Sequence, residues 1–246
     1  MVKAVYLKKK DNKMQLKNRK RLSEKPELII GNYQKKIEKL YLERVRIFNL
    51  YKYENGFKNA GYSLIAGIDE VGRGSLAGPV VAAAVVLPNQ CFIPYIKDSK
   101  KLTPRKRAEL YYVILEKAID VGIGIVGANI IDKINISQAT FLAMKKAIIN
   151  LKKVPDYLFV DGFKIPQVNI SQLPLIKGED KSISIASASI IAKVYRDNIM
   201  VQYDQKYPQY YFKKNKGYGT KEHLTALKKY GASEIHRKTY KGVIAI

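Results

Sequence analysis

The hydrophobic pattern predicts a long helix near the N-terminus. Between Tyr33 and Tyr53, apolar residues recur three or four positions apart with lysine and glutamate between them, which is the spacing of a helix with one apolar stripe. Asn55-Gly56 is a turn dipeptide, so we expect the helix to end there. We expect the stripe to pack on the rest of the protein or on a partner, and its members are Ile37, Leu40, Tyr41, Val45, Phe48 and Tyr51.

From Gly61 onward the pattern is that of an α/β domain. Short apolar runs predict buried strands, whereas longer stretches with helical spacing or a capping residue predict helices. The predicted strands cover 64–68, 80–87, 121–128 and 158–160, and the predicted helices cover 103–119, 137–151, 182–207 and 220–230. Such an order favours a mixed sheet flanked by helices. We therefore expect a basic, partly helical extension at 1–60 and an α/β domain with a C-terminal helical segment at 61–246.

Two acidic residues interrupt the longest apolar region of the domain. Asp69 and Glu70 follow one apolar run, and a glycine-rich stretch separates them from the next run. Adjacent carboxylates at the end of a buried strand are unfavourable unless a positive group neutralises them. Arg73 is one candidate for that group, and a divalent cation is the other. A salt-bridged turn remains the simpler explanation of an isolated Asp-Glu pair, but the neighbouring glycines would let a ligand approach the backbone closely.

A second acidic position repeats this arrangement. Asp161 follows an apolar run and precedes Gly162, and strand ends of this kind line ligand crevices in α/β sheets. An aspartate that caps a turn is the alternative. Glu179 and Asp180 form a third acidic group just before a helix, where the helix dipole favours acids in any case. Three carboxylates at two strand ends favour a metal site, and an all-oxygen donor set predicts Mg²⁺ or Mn²⁺.

Charge and composition favour some classes of binding partner over others. The chain has 45 Lys and Arg against 21 Asp and Glu, a net charge of +24, which favours nucleic acid as a partner. Residues 1–60 alone hold 17 Lys and Arg against 6 acids. The single Cys91 excludes an internal disulfide, and no apolar run is long enough for a membrane helix. We therefore expect a cytoplasmic protein with no membrane partner.

Seven sequence blocks resemble a known enzyme family. The stretch DEVGRG-x-LAGPVVAAAV resembles the signature of bacterial ribonuclease HII, the type 2 ribonuclease H, and the other blocks follow in the family's order. They are DSKKLT at 98–103, IDKINISQATFLAM at 131–144, VDG at 160–162, SIASASIIAKVYRD at 184–197, KGYGT with HLTAL at 216–227, and IHRKTY at 235–240.

This resemblance implies a fold and an activity. The fold would be a ribonuclease H-like mixed sheet flanked by helices, and the protein would act as a monomer. It would cleave the RNA strand of RNA–DNA hybrids and cut 5′ to single ribonucleotides in duplex DNA, leaving 3′-hydroxyl and 5′-phosphate ends. Two Mg²⁺ or Mn²⁺ ions would serve the reaction, which would begin ribonucleotide excision and assist RNA primer removal.

The resemblance also implies which residues form the active site. Asp69, Glu70 and Asp161 occupy the family's metal-binding positions. The family's fourth carboxylate is the aspartate of a Lys-Gly-Asp motif, and here the aligned residue is Glu179 with Asp180 next to it, so both stay candidates. Asp197 is instead expected to be a helix-face acid, paired with the neighbouring Arg196 or with Lys193.

Substrate contacts follow from the same resemblance. Gly72-Arg73-Gly74 would contact the 2′-hydroxyl that distinguishes RNA from DNA, and Tyr218 would contact the sugar at the RNA–DNA junction. Candidate phosphate contacts are Lys100, Lys101, Lys193, Lys213, Lys214 and Lys216. Two other functions stay open: a non-catalytic nucleic-acid-binding protein that retains the fold, and a type 3 enzyme with little junction cutting.

Overall fold

The structure is a computed structural model that describes residues 26–243. The described part contains five strands, β1 to β5, in this order: Ile65–Val71, Val80–Val86, Asp120–Val126, Tyr157–Asp161 and Ser171–Leu175. Its seven α-helices, α1 to α7, are Pro26–Leu50, Lys52–Asn59, Pro104–Lys117, Ala128–Ile149, Ile183–Lys206, Phe212–Asn215 and Lys221–Tyr230. Among the described residues, no helix is both long and apolar enough to cross a membrane.

The five strands form one mixed sheet in the order β3-β2-β1-β4-β5. Strands β1, β2 and β3 are antiparallel neighbours, whereas β4 runs parallel to β1 and β5 runs parallel to β4. The loop of residues 72–79 therefore joins β1 to β2 at the end of the sheet where β4 also ends. This confirms the predicted mixed sheet flanked by helices.

Helices cover both faces of the sheet. All seven residues of β2 are buried because alternate side chains enter two different cores. Helix α5 packs on one face and α4 on the other, and both approach the strands closely. A Cβ at Gly67 would lie 2.1 Å from the backbone of Ser184 in α5, and one at Gly124 would lie 1.9 Å from the carbonyl oxygen of Ala143 in α4. Glycine in the strands is therefore what lets these helices approach so closely.

The chain divides into two compact units, Met1–Arg46 and Ile47–Ile246. In the described part of the first unit, α1 carries exposed apolar side chains, among them Ile37, Leu40, Tyr41 and Val45. In the second unit, Ile47, Leu50 and Tyr51 are buried in a core, whereas Phe48 is exposed. Residues 47–60, which the sequence analysis placed in the extension, thus pack within the second unit.

Three details of the predicted elements were wrong. Asn55-Gly56 does not end the helical region, because it lies inside α2, and the chain turns only at Gly61, where φ is +99°. The helical stretch 128–134 at the start of α4 was missed. A kink at the non-helical Asn135 (φ 64°) separates it from the rest of α4, and the predicted start at residue 137 is confirmed there, because Oδ1 of Asn135 accepts hydrogen bonds from the N–H groups of Ser137 and Gln138. Strand β5 was missed, because its sequence SQLPL contains proline and lacks a clear alternation.

Candidate active site

The strand pairing brings two of the predicted carboxylates together. The last paired residues of β1 and β4 are Ile68 and Val160. Asp69 and Asp161 each come one residue later, so they stand at the same level on adjacent parallel strands. Asp69 is 8% exposed, and its Oδ1 accepts a 2.7 Å hydrogen bond from the backbone N–H of Glu70.

Glu70 lies beside a cavity of about 460 Å³, which Asp161 also lines together with Phe141 and Phe163. Arg73, one of the two candidate neutralising groups, has its Nη1 3.5 Å from Oε1 of Glu70. Within the described residues, no ion pair reaches Asp69 or Asp161. The one nearby arginine therefore compensates only part of the negative charge.

Burial and mutual repulsion perturb these acids. Burial raises the pKa of Asp69 well above its usual value, and the charges of Glu70 and Asp161 raise it further. Burial also raises the pKa of Glu70, which Arg73 lowers and Asp161 raises. The site therefore holds several carboxylates whose ionised forms repel one another in a poorly solvated place.

The third acidic group separates into two residues with different surroundings. Asp180 is exposed, and both of its carboxylate oxygens lie 2.9 Å from Nζ of Lys101. Glu179 has a buried Oε2 without a hydrogen-bond partner among the described residues. Burial raises the pKa of Glu179, and the charge of Asp161 raises it further. The charge of Asp161 thus acts on Glu179, whereas Asp180 forms an ion pair with Lys101.

The donor set suits a hard cation, although the side chains do not yet form a closed ligand group. All the candidate donors are carboxylate oxygens, the ligands preferred by Mg²⁺ and Mn²⁺. Within the described residues, no three His, Cys, Asp or Glu side chains are close enough to hold an ion as they stand. Asp197 is separate, because it pairs with Lys193 at 2.7 Å and with Arg107 at 3.5 Å.

The glycines of the 72–79 loop have different roles. Gly72 has φ +95°, and a Cβ there would lie 2.2 Å from Nε of Arg196, so the protein itself requires glycine at this position. Gly74 is exposed, and a Cβ there would have no heavy atom within 4 Å. Space for an approaching ligand therefore exists at Gly74, whereas Gly72 serves the packing of the loop.

Two buried arginines behind this loop were missed by the sequence analysis. Arg196 donates to the carbonyls of Ala77, Pro79 and Lys216. Of the two partners predicted for Asp197, Lys193 is therefore confirmed and Arg196 is not. Arg237 is fully buried and donates to the carbonyls of Gly72, Arg73 and Gly78. Both arginines belong to blocks quoted above, but only the fold shows that their side chains turn inward to the loop.

Tyr218 lies close to the same group of residues. It is 37% exposed, and the guanidinium of Arg196 lies 5.6 Å from the centre of its ring. Its carbonyl oxygen accepts a 2.9 Å hydrogen bond from Nδ1 of His223, which in turn contacts His236 at 3.0 Å. The ring of Tyr218 is therefore accessible, while its backbone carbonyl is held by a hydrogen bond from the buried His223.

The candidate phosphate-binding lysines are unequally available. Lys193 is paired with Asp197 and Lys101 with Asp180, while Nζ of Lys214 contacts Glu222 at 2.6 Å. Lys100 and Lys213 are exposed. Burial lowers the pKa of Lys216. These contacts do not test substrate binding, which stays a prediction for each lysine.

Comparison with known proteins identifies the family. The model of the family described as ribonuclease HII matches residues 66–243. The chain belongs to the ribonuclease HII family. It is 55% identical to ribonuclease HII of Clostridioides difficile over 206 residues, which cover 84% of this chain and 81% of that relative. It is 57% identical to ribonuclease HII of Caldanaerobacter subterraneus over 204 residues, which cover 82% and 85%.

Solved structures support the same assignment. The crystal structure of ribonuclease H2 from Pyrococcus horikoshii matches with a TM-score of 0.64 and 25% identity, over 74% of this chain and 96% of that one. Ribonuclease HII in a complex with PCNA from Archaeoglobus fulgidus matches with a TM-score of 0.62 and 25% identity, over 72% and 95%. As a member of this family, the chain is an endonuclease of the ribonuclease H type, an enzyme that cleaves RNA in RNA–DNA hybrids.

Proposed function

We propose that this enzyme cleaves 5′ to single ribonucleotides embedded in duplex DNA as well as within RNA–DNA hybrids. We also propose that it uses two divalent ions held by four carboxylates, those of Asp69, Glu70, Asp161 and Glu179. The observation that carries the proposal is the pairing of β1 with β4, which puts Asp69 and Asp161 at one level beside Glu70. The products would carry 3′-hydroxyl and 5′-phosphate ends.

The surroundings of the acids support a cation there. The pKa values of Asp69, Glu70 and Glu179 are raised by burial and by neighbouring carboxylates, so ionising all of them without a counter-charge is unfavourable. A bound cation would relieve this repulsion and draw the carboxylates together. When bound, two Mg²⁺ or Mn²⁺ ions supply an activated water and stabilise the oxygens that attack and leave in phosphodiester hydrolysis.

Glu179 fits the fourth ligand position better than Asp180. Its buried Oε2 has no hydrogen-bond partner in the described chain and therefore lacks the compensation that a buried carboxylate needs. Asp180 already has its charge neutralised by Lys101. We accordingly assign Glu179 to the metal site and Asp180 to an ion pair that holds the loop.

The ribose would be recognised by the 72–79 loop and by Tyr218. Arg73 and Gly74 are exposed, and the open space at Gly74 would let a nucleic-acid backbone approach the loop. The exposed ring of Tyr218 would then pack on the sugar at the junction. Discrimination would rest on the 2′-hydroxyl, the group that DNA lacks.

This activity would place the enzyme at the start of ribonucleotide excision and in RNA primer removal. We assign it to the cytoplasm as a monomer. The charge of +24 supports binding to a polyanionic duplex.

One assay tests the proposal directly. The protein is incubated with duplex DNA that contains one ribonucleotide, with Mg²⁺, with Mn²⁺ or with EDTA, and the ends of the products are mapped. We expect a single cut 5′ to the ribonucleotide in the presence of metal and no cut in EDTA. Asp69→Asn serves as the matched control and should lose nearly all cleavage while still binding the duplex. Cleavage in EDTA, or cutting by the Asn variant at the wild-type rate, would contradict the proposal.

A further inference from the structure

One short segment near the C-terminus contacts both elements that the proposed function assigns to ribose recognition. Residues 235–237 lie alongside the 72–79 loop, where His236 forms a β-bridge with Ala77. The N–H of Arg237 donates to the carbonyl of Leu76, and the N–H of Gly78 donates to the carbonyl of Ile235. The backbone of this segment is thus fixed to the loop before any side chain is considered.

The side chain of Arg237 sets the orientation of two peptide groups in the loop. Its guanidinium donates to the carbonyl of Gly72 at 2.6 Å and to the carbonyl of Arg73 at 2.8 Å. The hydroxyl of Tyr240 donates a further 2.9 Å hydrogen bond to the carbonyl of Arg73 and accepts one from Arg237. Both carbonyls therefore point toward the buried side of the loop.

The direction of these two carbonyls also fixes the direction of the N–H groups of the next residues, because each peptide unit is planar. In a trans peptide the N–H points opposite to the C=O of the same peptide unit. Because the carbonyls of Gly72 and Arg73 point toward Arg237, the N–H groups of Arg73 and Gly74 point away from it. Arg73 and Gly74 are exposed, so two successive N–H donors face the side from which a substrate would come. Paired backbone donors of this kind bind oxygen atoms of ligands.

His236 acts on the second element through His223. The N–H of Ser233 donates to Nδ1 of His236 at 2.9 Å, so the proton of this ring is on Nε2. That proton is donated to Nε2 of His223, which leaves the proton of His223 on Nδ1, where it is donated to the carbonyl of Tyr218. Both rings are buried, with exposures of 0% and 1%. The chain of hydrogen bonds thus runs from His236 to the backbone of Tyr218.

We propose that His236 and Arg237 are positioning residues that hold the two ribose-recognising elements, Arg73-Gly74 and Tyr218, in fixed relation to each other. This inference rests on the proposed function, because it assumes that those elements contact the ribose. Since His236 and Arg237 are adjacent in the chain, a shift of one element is transmitted to the other through a single rigid segment.

Loss of this positioning should affect the two substrates unequally. A duplex with one ribonucleotide offers a single productive register, so its cleavage depends on both elements being in place at once. A continuous RNA strand offers many registers, and a misplaced loop can still meet a 2′-hydroxyl in one of them. Loss of positioning should therefore reduce kcat on the single-ribonucleotide duplex more than kcat on the hybrid, with a smaller effect on KM.

The experiment measures kcat and KM on both substrates for three variants of the full chain. Arg237→Lys replaces the forked donor with a single ammonium, Tyr240→Phe removes only the hydroxyl that binds the carbonyl of Arg73, and His223→Leu removes the donor to Tyr218 while filling a similar volume. We expect the ratio of single-ribonucleotide to hybrid cleavage to fall at least about tenfold for Arg237→Lys and His223→Leu, and about threefold for Tyr240→Phe.

Controls separate positioning from general stability. Tyr51→Phe removes a buried hydroxyl whose hydrogen bond goes to the carbonyl of Cys91 at 2.6 Å, a residue of neither element, and should leave the ratio unchanged. His223→Asn places an amide nitrogen where Nδ1 stood and should restore most of the ratio. Melting curves identify any variant that does not fold. If Arg237→Lys does not fold, the cleavage ratios of Tyr240→Phe and the two His223 variants test the inference.

Two further variants distinguish failure of this inference from failure of the proposed function. Gly74→Ala and Tyr218→Ala alter the ribose-recognising elements themselves. If they change the ratio and the folded positioning variants leave it unchanged, the inference is wrong and the proposed function stands. If neither set changes the ratio, this inference is wrong and so is the part of the proposed function that assigns ribose recognition to Arg73-Gly74 and Tyr218. An equal loss on both substrates in the positioning variants would also overturn the inference, because it would indicate a structural role alone.

Discussion

The backbone N–H of Gly178 donates a 2.8 Å hydrogen bond to Oδ1 of Asp161. This bond fixes the loop that carries Glu179 and Asp180 to the end of β4. A Cβ at Gly178 would lie 2.6 Å from Cδ1 of Ile185 and 3.2 Å from Oδ1 of Asp161, so the contact requires glycine. The loop that carries Glu179, the proposed fourth ligand, is therefore attached to Asp161, another of the proposed ligands.

Replacement of the two loop acids should have unequal effects. Glu179→Gln should lower kcat at least about tenfold and raise the Mg²⁺ concentration needed for half-maximal activity, since it removes a charged ligand. Asp180→Asn should change kcat less than about threefold, because it removes only an exposed ion pair with Lys101. Metal titrations of activity and of binding by calorimetry check this. The reverse order of effects would assign the fourth ligand to Asp180.

Removal of the buried carboxylate of Asp69 should stabilise the metal-free protein. Because the pKa of Asp69 is raised in the folded state, folding binds its proton more tightly, and stability falls as pH rises from about 4 through the raised pKa. Asp69→Asn should therefore increase stability at pH 7 by at least about 1 kcal/mol and shift Tm upward by roughly 2–4 °C. The gain should vanish near pH 4.

Thermal melts in EDTA across this pH range measure the effect. Added Mg²⁺ should raise the Tm of the wild type more than that of the variant, because binding to the folded state stabilises it. A variant that melts below the wild type at pH 7 in EDTA would show that Asp69 contributes net stability, contrary to the electrostatic account.

Two glycines of one loop should respond differently to alanine. Gly72→Ala introduces a Cβ 2.2 Å from Nε of Arg196 at a φ of +95°, so we expect a loss of stability of about 1–3 kcal/mol. Gly74→Ala meets no protein atom within 4 Å and should leave Tm within about 1 °C. We expect Gly74→Ala to lower the rate of cleavage of the single-ribonucleotide duplex instead. Melting curves beside cleavage rates check both, and unchanged cleavage by Gly74→Ala would remove this glycine from the substrate-binding surface.

Two N-terminal truncations should separate duplex binding from folding. Deleting residues 1–46 removes 15 Lys and Arg against 5 acids, so duplex affinity should fall and the salt dependence of binding should become shallower. Catalysis should persist, since every proposed ligand lies at Asp69 or beyond. Deleting residues 1–60 also removes the buried Leu50, Tyr51 and Glu54 and should destabilise the fold by several kcal/mol.

Binding titrations at several salt concentrations and melting curves compare the two truncations. An unchanged salt slope after deletion of residues 1–46 would exclude duplex binding by this part and direct attention to a protein partner. Equal melting of both truncated proteins would mean that residues 47–60 contribute little to the core.

Local signals in the sequence predicted most of the fold. Thr103, Ser182 and Thr220 each cap a helix through a side-chain oxygen, as such residues do at helix starts. The helical stretch 128–134 was missed because Gly127 supplies no capping side chain and Asn135 interrupts the pattern. Asp69, Glu70 and Asp161 were singled out because acids after apolar runs are conspicuous in a sequence.

Other parts of the site depend on tertiary contacts and could not be read in advance. Arg196 and Arg237 resemble any other charged residue in the sequence, and only the packed fold shows that backbone carbonyls surround them. Glu54 is similar: its Oε1 accepts hydrogen bonds from Ser182 and Ser184 at the start of α5. No periodic pattern marks a polar residue whose partner is far away in the chain.

The hydrogen bond from Arg237 to Gly72 spans 165 residues, and this separation bears on how the enzyme is made. During synthesis, all four proposed metal ligands leave the ribosome well before residue 237. The strands that carry Asp69 and Asp161 can pair at that stage, whereas the loop after β1 still lacks the arginine that orients its peptides. Closing so long a loop also slows folding. The nascent chain should therefore acquire the proposed metal ligands before it acquires the loop geometry that we propose for ribose recognition.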